Sequence, residues 1–100
     1  MKHTIDNNTL TLYFEDNITA VNATHLAEEL KRIVKGHHQF SQVVADMEQV
    51  AYLDSTGITI LVGLYKTIKS EEKTFHMTQV RKEIRGLLAL MRLDETFNVK

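Results

Sequence analysis

The chain switches repeatedly between two hydrophobic periodicities, and this alternation constrains the fold more than any other feature. Thr9-Leu10-Thr11-Leu12-Tyr13-Phe14 alternates with period two and is rich in β-formers, which predicts a strand. Asp6-Asn7-Asn8 before it is a turn signal, so His3 to Ile5 reads as a short first strand of a hairpin. Ala23, Leu26, Ala27, Leu30, Ile33 and Val34 then recur at helical spacing, with Thr19 or Asn22 able to cap the start and Gly36 placed to end it. Gln42 to Met47 is a short apolar run, read as a buried strand, and Glu48-Gln49 turns the chain toward Val50 to Leu53. A second helix is predicted from Ser55 to about Lys69. Its apolar residues Ile58, Ile60, Leu61, Val62, Leu64, Tyr65 and Ile68 cover roughly 200° at 100° per residue. That arc is wider than an ordinary surface stripe, and Thr59, Gly63, Lys66 and Thr67 fill the rest. Thr74 to Thr78 predicts a further strand and Arg81 to Met91 a third helix. Phe97 and Val99 are read as a last short strand. Strands alternating with helices imply an α/β fold: a four- to five-stranded mixed sheet with about three helices.

The length of 100 residues suits one domain, residues 1–100. With 12 basic and 13 acidic residues the net charge is −1, which provides no field to steer the chain to nucleic acid or to an anionic membrane. Cysteine is absent, which excludes a disulfide framework, thiolate metal sites and cysteine nucleophiles. Met1-Lys2-His3-Thr4-Ile5-Asp6 lacks the apolar run of a signal peptide, and no segment approaches the ~20 apolar residues of a membrane span. The expected location is the cytoplasm. There is no proline, and no linker, low-complexity segment or internal repeat is visible.

In sheets of this kind, sites lie beyond the carboxyl ends of strands, where helices begin. Asp54-Ser55-Thr56-Gly57 occupies such a junction. One reading is a helix cap: an Asp or Ser oxygen accepts from a free backbone N–H, and Gly57 relieves crowding in the first turn. The other uses the same geometry. An exposed hydroxyl at a helix N-terminus tolerates an anion, so phosphorylating Ser55 would add about −1.5 to −2 charges without melting the helix. It would instead change what docks there. A protease-type D-[ST]-G is broken by Thr56, and a nucleophile elbow G-x-S-x-G fails because position 53 is Leu. No phosphate-binding glycine loop exists.

Val43-Val44-Ala45-Asp46-Met47-Glu48-Gln49-Val50-Ala51-Tyr52-Leu53-Asp54-Ser55-Thr56-Gly57-Ile58 resembles the signature of STAS domains of the anti-sigma factor antagonist type: a strand, a short turn, then D-S-[ST]-G opening a helix. Leu87 to Val99 resembles that family's ending, L-x-x-x-G-L-D-x-x-F-x-V. The resemblance implies a STAS-type fold over nearly the whole chain. It implies Ser55 as phosphoacceptor, an anti-sigma factor with Ser/Thr kinase activity as partner and kinase, and a PP2C-type phosphatase to remove the phosphate. The unphosphorylated form would bind the anti-sigma factor and free the sigma factor, and the domain itself would do no chemistry. A second role fits the same family: an accessory STAS subunit of a larger lipid-transport or stressosome-like assembly, without phosphorylation. Three positions depart from the family pattern. Asp16 stands at a Gly position and Thr19 at an Asp position of a G-x-[LI]-D element, and Arg92 replaces the Gly of the ending, where φ > 0 is expected. The chain stops at Lys100, where many relatives continue into another helix, and the bare layer is an expected site for a homodimer contact.

The expected partner-binding set is Asp54, Ser55, Thr56, Gly57, Thr59, Gly63 and Thr19. Gly63 has two readings: close packing against a neighbouring helix, or part of a flat docking strip beside Ser55. The five histidines form no metal motif. His37-His38 follow Gly36 near a helix end, where cations are favoured, and His25 lacks a histidine four residues on. Asp46 and Asp54 both sit near strand ends, but no proton donor or metal ligand accompanies them in sequence, so no catalytic residue and no cofactor is expected. Arg81, Lys82 and Arg85 are interrupted by Glu83 and read as a solvated face.

Overall fold

The computed structural model describes residues 1–36 and 39–100. The expectation about His37 and His38 lies outside the described residues. Strands β1 (Lys2–Asp6) and β2 (Thr9–Tyr13) form an antiparallel hairpin. Its two-residue turn is Asn7-Asn8, with φ of 49° and 67°. Asparagine tolerates this left-handed backbone, and the twist it imparts matches that of the paired strands. Helix α1 (Ala23–Gly36) leads to β3 (Gln42–Asp46), α2 (Ser55–Ser70) to β4 (Thr74–Thr78), and α3 (Lys82–Leu90) with the short α4 (Leu93–Thr96) follow. The sheet order is β1-β2-β3-β4, with β2–β3 and β3–β4 parallel. The mixed four-stranded sheet is the one the periodicities imply.

The register explains the core. Leu10, Val43 and Phe75 lie on one rung, and Leu12, Ala45 and Met77 on another; all six are buried. The alternate rung Thr11, Val44 and His76 is half-buried on the opposite face. The buried face packs with Leu30, Ile33 and Val34 of α1, Ile58, Leu61, Leu64 and Ile68 of α2, and Ile84 and Leu88 of α3. Period-two strands and period-3.6 helices thus contribute to one core.

The chain's ending differs from expectation. Phe97 and Val99 do not form a strand. Arg92 and Asn98 adopt left-handed backbone, φ 59° and 51°, which curls the segment between them into α4. Only Val99 makes a parallel bridge, to Met77, and the Lys100 N–H donates to the Met77 carbonyl at 2.9 Å. Phe97 is nevertheless fully buried, edge-on to Phe75 and Tyr65 at 6.0 and 5.9 Å between centroids. Left-handed φ at Arg92 accounts for the family preference for Gly there. It costs a side-chain-bearing residue about 1–2 kcal/mol, partly offset by the greater unfolded-state entropy of Gly. Arg92→Gly is therefore expected to stabilise the protein by about 0.5–1 kcal/mol, read as a higher midpoint in thermal unfolding.

Candidate functional site

The parallel crossovers place the N-termini of α1 and α2 at the same end of the sheet, beyond the carboxyl ends of β2 and β3. Two segments meet there: Asn17–Asn22 before α1 and Ala51–Asp54 before α2. They are joined by a bridge between Ile18 and Leu53, with the Ile18 N–H donating to the Tyr52 carbonyl at 3.3 Å and the Asp54 N–H to the Ile18 carbonyl at 3.4 Å. The Asn17 side-chain oxygen accepts from the N–H groups of Ala51 and Tyr52 at 2.9 and 3.0 Å. Asn22 in turn donates to the Asn17 carbonyl at 2.7 Å. One carboxamide therefore satisfies two backbone donors that no ladder reaches.

Asp54 is the N-cap of α2. One carboxylate oxygen accepts from the Gly57 N–H at 2.8 Å and the other from the Ala20 N–H at 2.9 Å. The cap reading of the junction is thus realised, and the same side chain holds the two loops together. The Ala20 bond first, and the Gly57 bond next, hold the Asp54 carboxyl below the usual carboxylate range. A depressed folded-state value means that Asp54 stabilises the fold above its unfolded value, near pH 4, and that this contribution is lost as pH falls through the folded value. The stability gap between wild type and Asp54→Asn should accordingly be open at pH 7 and close below about pH 4, measured by urea titration at each pH.

Ser55 follows as the first residue of α2 and is exposed. Its hydroxyl makes no hydrogen bond among the described residues, while its carbonyl accepts from the Thr59 hydroxyl at 3.0 Å. Thr56 and Thr59 are also exposed. Thr19 lies across the junction, half-buried, and its hydroxyl accepts from the Val21 N–H at 3.2 Å. Its own N–H donates to Asn22 Oδ1 at 3.0 Å, so both residues considered as caps order the turn that leads into α1. Asp16 receives the Asn17 N–H at 2.7 Å. Gly57 is buried because the chain passes directly over it: a Cβ there would lie 2.0 Å from the Ile18 carbonyl oxygen. Of the two readings of Gly63, close helix packing does not hold. The residue is exposed, and a Cβ would meet nothing within 4 Å. It opens a groove between α1 and α2 instead.

The junction therefore gathers Thr19, Asp54, Ser55, Thr56, Gly57 and Thr59, with Gly63 further along α2. Periodicity did not mark two more residues. Val21 and Tyr52 are 96% and 58% exposed, and they lie on the two loops that are stitched together ahead of α2. Exposed large apolar side chains beside a free hydroxyl are characteristic of a docking surface. Neither belongs to a periodic segment, so only their position relative to helical and strand patterns hinted at exposure. Among the described residues no three His, Asp or Glu side chains are placed to hold a metal ion, and no helix is long and apolar enough to cross a membrane.

The STAS domain family model matches residues 1–100. The chain belongs to the STAS family. Solved structures share its fold at low identity. A proposed anti-sigma factor antagonist of Thermotoga maritima superposes with a TM-score of 0.85 at 18% identity, over 98% of this chain and 83% of that one. An anti-sigma factor antagonist of Mycobacterium paratuberculosis gives 0.84 at 22% identity, over 98% and 81%. The Bacillus cell fate determinant SpoIIAA in its phosphorylated form gives 0.71 at 10% identity, over 99% and 87%. At these identities the likeness establishes the STAS fold: a mixed four-stranded sheet with three longer helices and one short one.

Proposed function

We propose that this STAS domain is a partner switch of the anti-sigma factor antagonist type. With Ser55 unmodified, the face formed by Ser55, Thr56, Thr59, Val21 and Tyr52 captures an anti-sigma factor with Ser/Thr kinase activity in the cytoplasm. Transfer of phosphate to Ser55 releases that partner, and a PP2C-type phosphatase restores the capturing form. The domain contributes a docking surface and an acceptor hydroxyl, and no catalysis of its own. The observation that carries this reading is the Ser55 hydroxyl: exposed, without a protein hydrogen bond among the described residues, on the first turn of a 16-residue helix, at a junction whose two loops carry exposed apolar side chains. The helix N-terminus favours added negative charge there. The phosphorylated state in which the Bacillus relative was solved supports the same reading.

The direct test is intact-mass measurement after incubation with ATP and the Ser/Thr kinase encoded beside the protein. A gain of one phosphate that disappears in Ser55→Ala is the expected result. Phosphate on another residue, or none with any cognate kinase, would instead favour an accessory STAS subunit of a larger assembly.

A further inference from the structure

Between α1 and α2 runs an open groove of about 280 Å³. Ala27, Leu30 and Val34 form one wall, and Ile60, Gly63 and Leu64 the other. The two helices follow strands that pair in parallel, so the groove starts at Thr59, one turn from Ser55, and runs to Thr67. That length is roughly 12 Å, or two helical turns. Its polar atoms are largely used up. The Thr59 and Thr67 hydroxyls donate to the carbonyls of Ser55 and Gly63, each at 3.0 Å. An occupant thus meets mainly methyl groups and the notch at Gly63.

The rim is charged on one side. Lys31 and Lys35 stand one turn apart on α1 and are exposed, and the lining holds no carboxylate among the described residues. An extended peptide gains little here, because both walls are helices whose backbone groups are already paired. A helix satisfies its own backbone and presents a stripe of side chains to such a groove.

We propose that the α1–α2 groove binds an acidic amphipathic helix of a partner protein, with small apolar residues seated over Gly63 and carboxylates facing Lys31 and Lys35. The proposal extends the docking face around Ser55 and rests on that face being an interface. It specifies the partner's chemistry: apolar residues at i, i+3/i+4 and i+7, flanked by Asp or Glu.

The test titrates the ¹⁵N-labelled full chain with two helical peptides. They share one Ala/Leu stripe; one carries Glu flanks and the other Lys flanks. The Glu peptide should shift the amides of Ala27, Lys31, Gly63 and Thr67 saturably and bind at least tenfold more tightly than the Lys peptide. The double variant Lys31→Glu/Lys35→Glu should reverse that order. Gly63→Leu, whose Cβ meets nothing within 4 Å, should abolish the shifts while the amide spectrum outside the groove stays that of the folded chain. Gly86→Ala, on α3 and outside the groove lining, should retain peptide binding, which shows that the Gly63→Leu loss is local to the groove. Equal binding of both peptides, or no groove shift up to millimolar peptide, overturns the proposal. So does an unreversed preference in the double variant, or groove shifts produced by decanoate alone. If phosphorylation at Ser55 is observed while the groove stays silent, the switch stands and the helix-docking proposal falls.

Discussion

Gly57→Ala is expected to destabilise the protein by about 3 kcal/mol, a fall of roughly 12–24 °C in unfolding midpoint for a chain of this size. The added Cβ would lie 2.0 Å from the Ile18 carbonyl oxygen and 2.8 Å from its carbon. Both atoms are backbone, so no rotamer change relieves the clash. The carbonyl cannot simply retreat either, because it accepts the Asp54 N–H and Ile18 is bridged to Leu53. Moving it strains the bond from Ala20 to Asp54 as well. A control exists in the same chain. Gly86 lies inside α3 with nothing within 4 Å of its Cβ position. Gly86→Ala should therefore stabilise by about 1 kcal/mol, the ordinary helix preference. Urea denaturation of the two variants reads both signs. Equal and small effects would show that the loop before α1 does not clamp onto α2.

This contrast shows which parts of the structure local sequence can reveal. Thr74–Thr78 forms β4 as its β-rich composition implies, and Ser55 opens α2 as the D-S-T-G junction implies. Those features depend on neighbours in sequence. Gly57 looked like relief of crowding within its own turn, but the crowding comes from Ile18, on a loop far away in sequence. Asn17 carried no signal at all, because its two acceptor bonds reach Ala51 and Tyr52. Gly63 was ambiguous for a related reason. Whether a helical glycine packs or gapes depends on the distance of the neighbouring helix, which periodicity does not encode. Phe97 and Val99 have strand chemistry, but left-handed backbone at Arg92 and Asn98 turns the segment between them into α4. Val21 and Tyr52 became a pair only when the parallel crossovers brought their loops together.

On the proposed switch, Ser55→Asp is expected to weaken capture of the proposed anti-sigma partner at least a hundredfold while leaving the unfolding midpoint within a few degrees of wild type. The stability side follows from the site. A negative charge on the first turn of α2 gains about 0.3–1 kcal/mol from the helix dipole. Repulsion from Asp54 opposes that gain and is weakened by water, because Ser55 is exposed. The two effects nearly cancel. The binding side does not cancel. A partner docked on the proposed face would take Ser55 out of water, and an unpaired buried charge costs about 3–5 kcal/mol. At 1.4 kcal/mol per tenfold, that is a loss of a hundredfold or more. Calorimetric titration with the partner and a thermal melt measure the two sides separately. Salt then distinguishes a buried contact from surface steering. Screening acts strongly on exposed charges and weakly on desolvated ones, so the loss should persist at high ionic strength. A loss that fades with salt would mean that Ser55 lies at the rim of the interface. A midpoint lowered by ten degrees or more would mean that the charge acts on the fold, and the docking face would then have to be sought elsewhere on the domain.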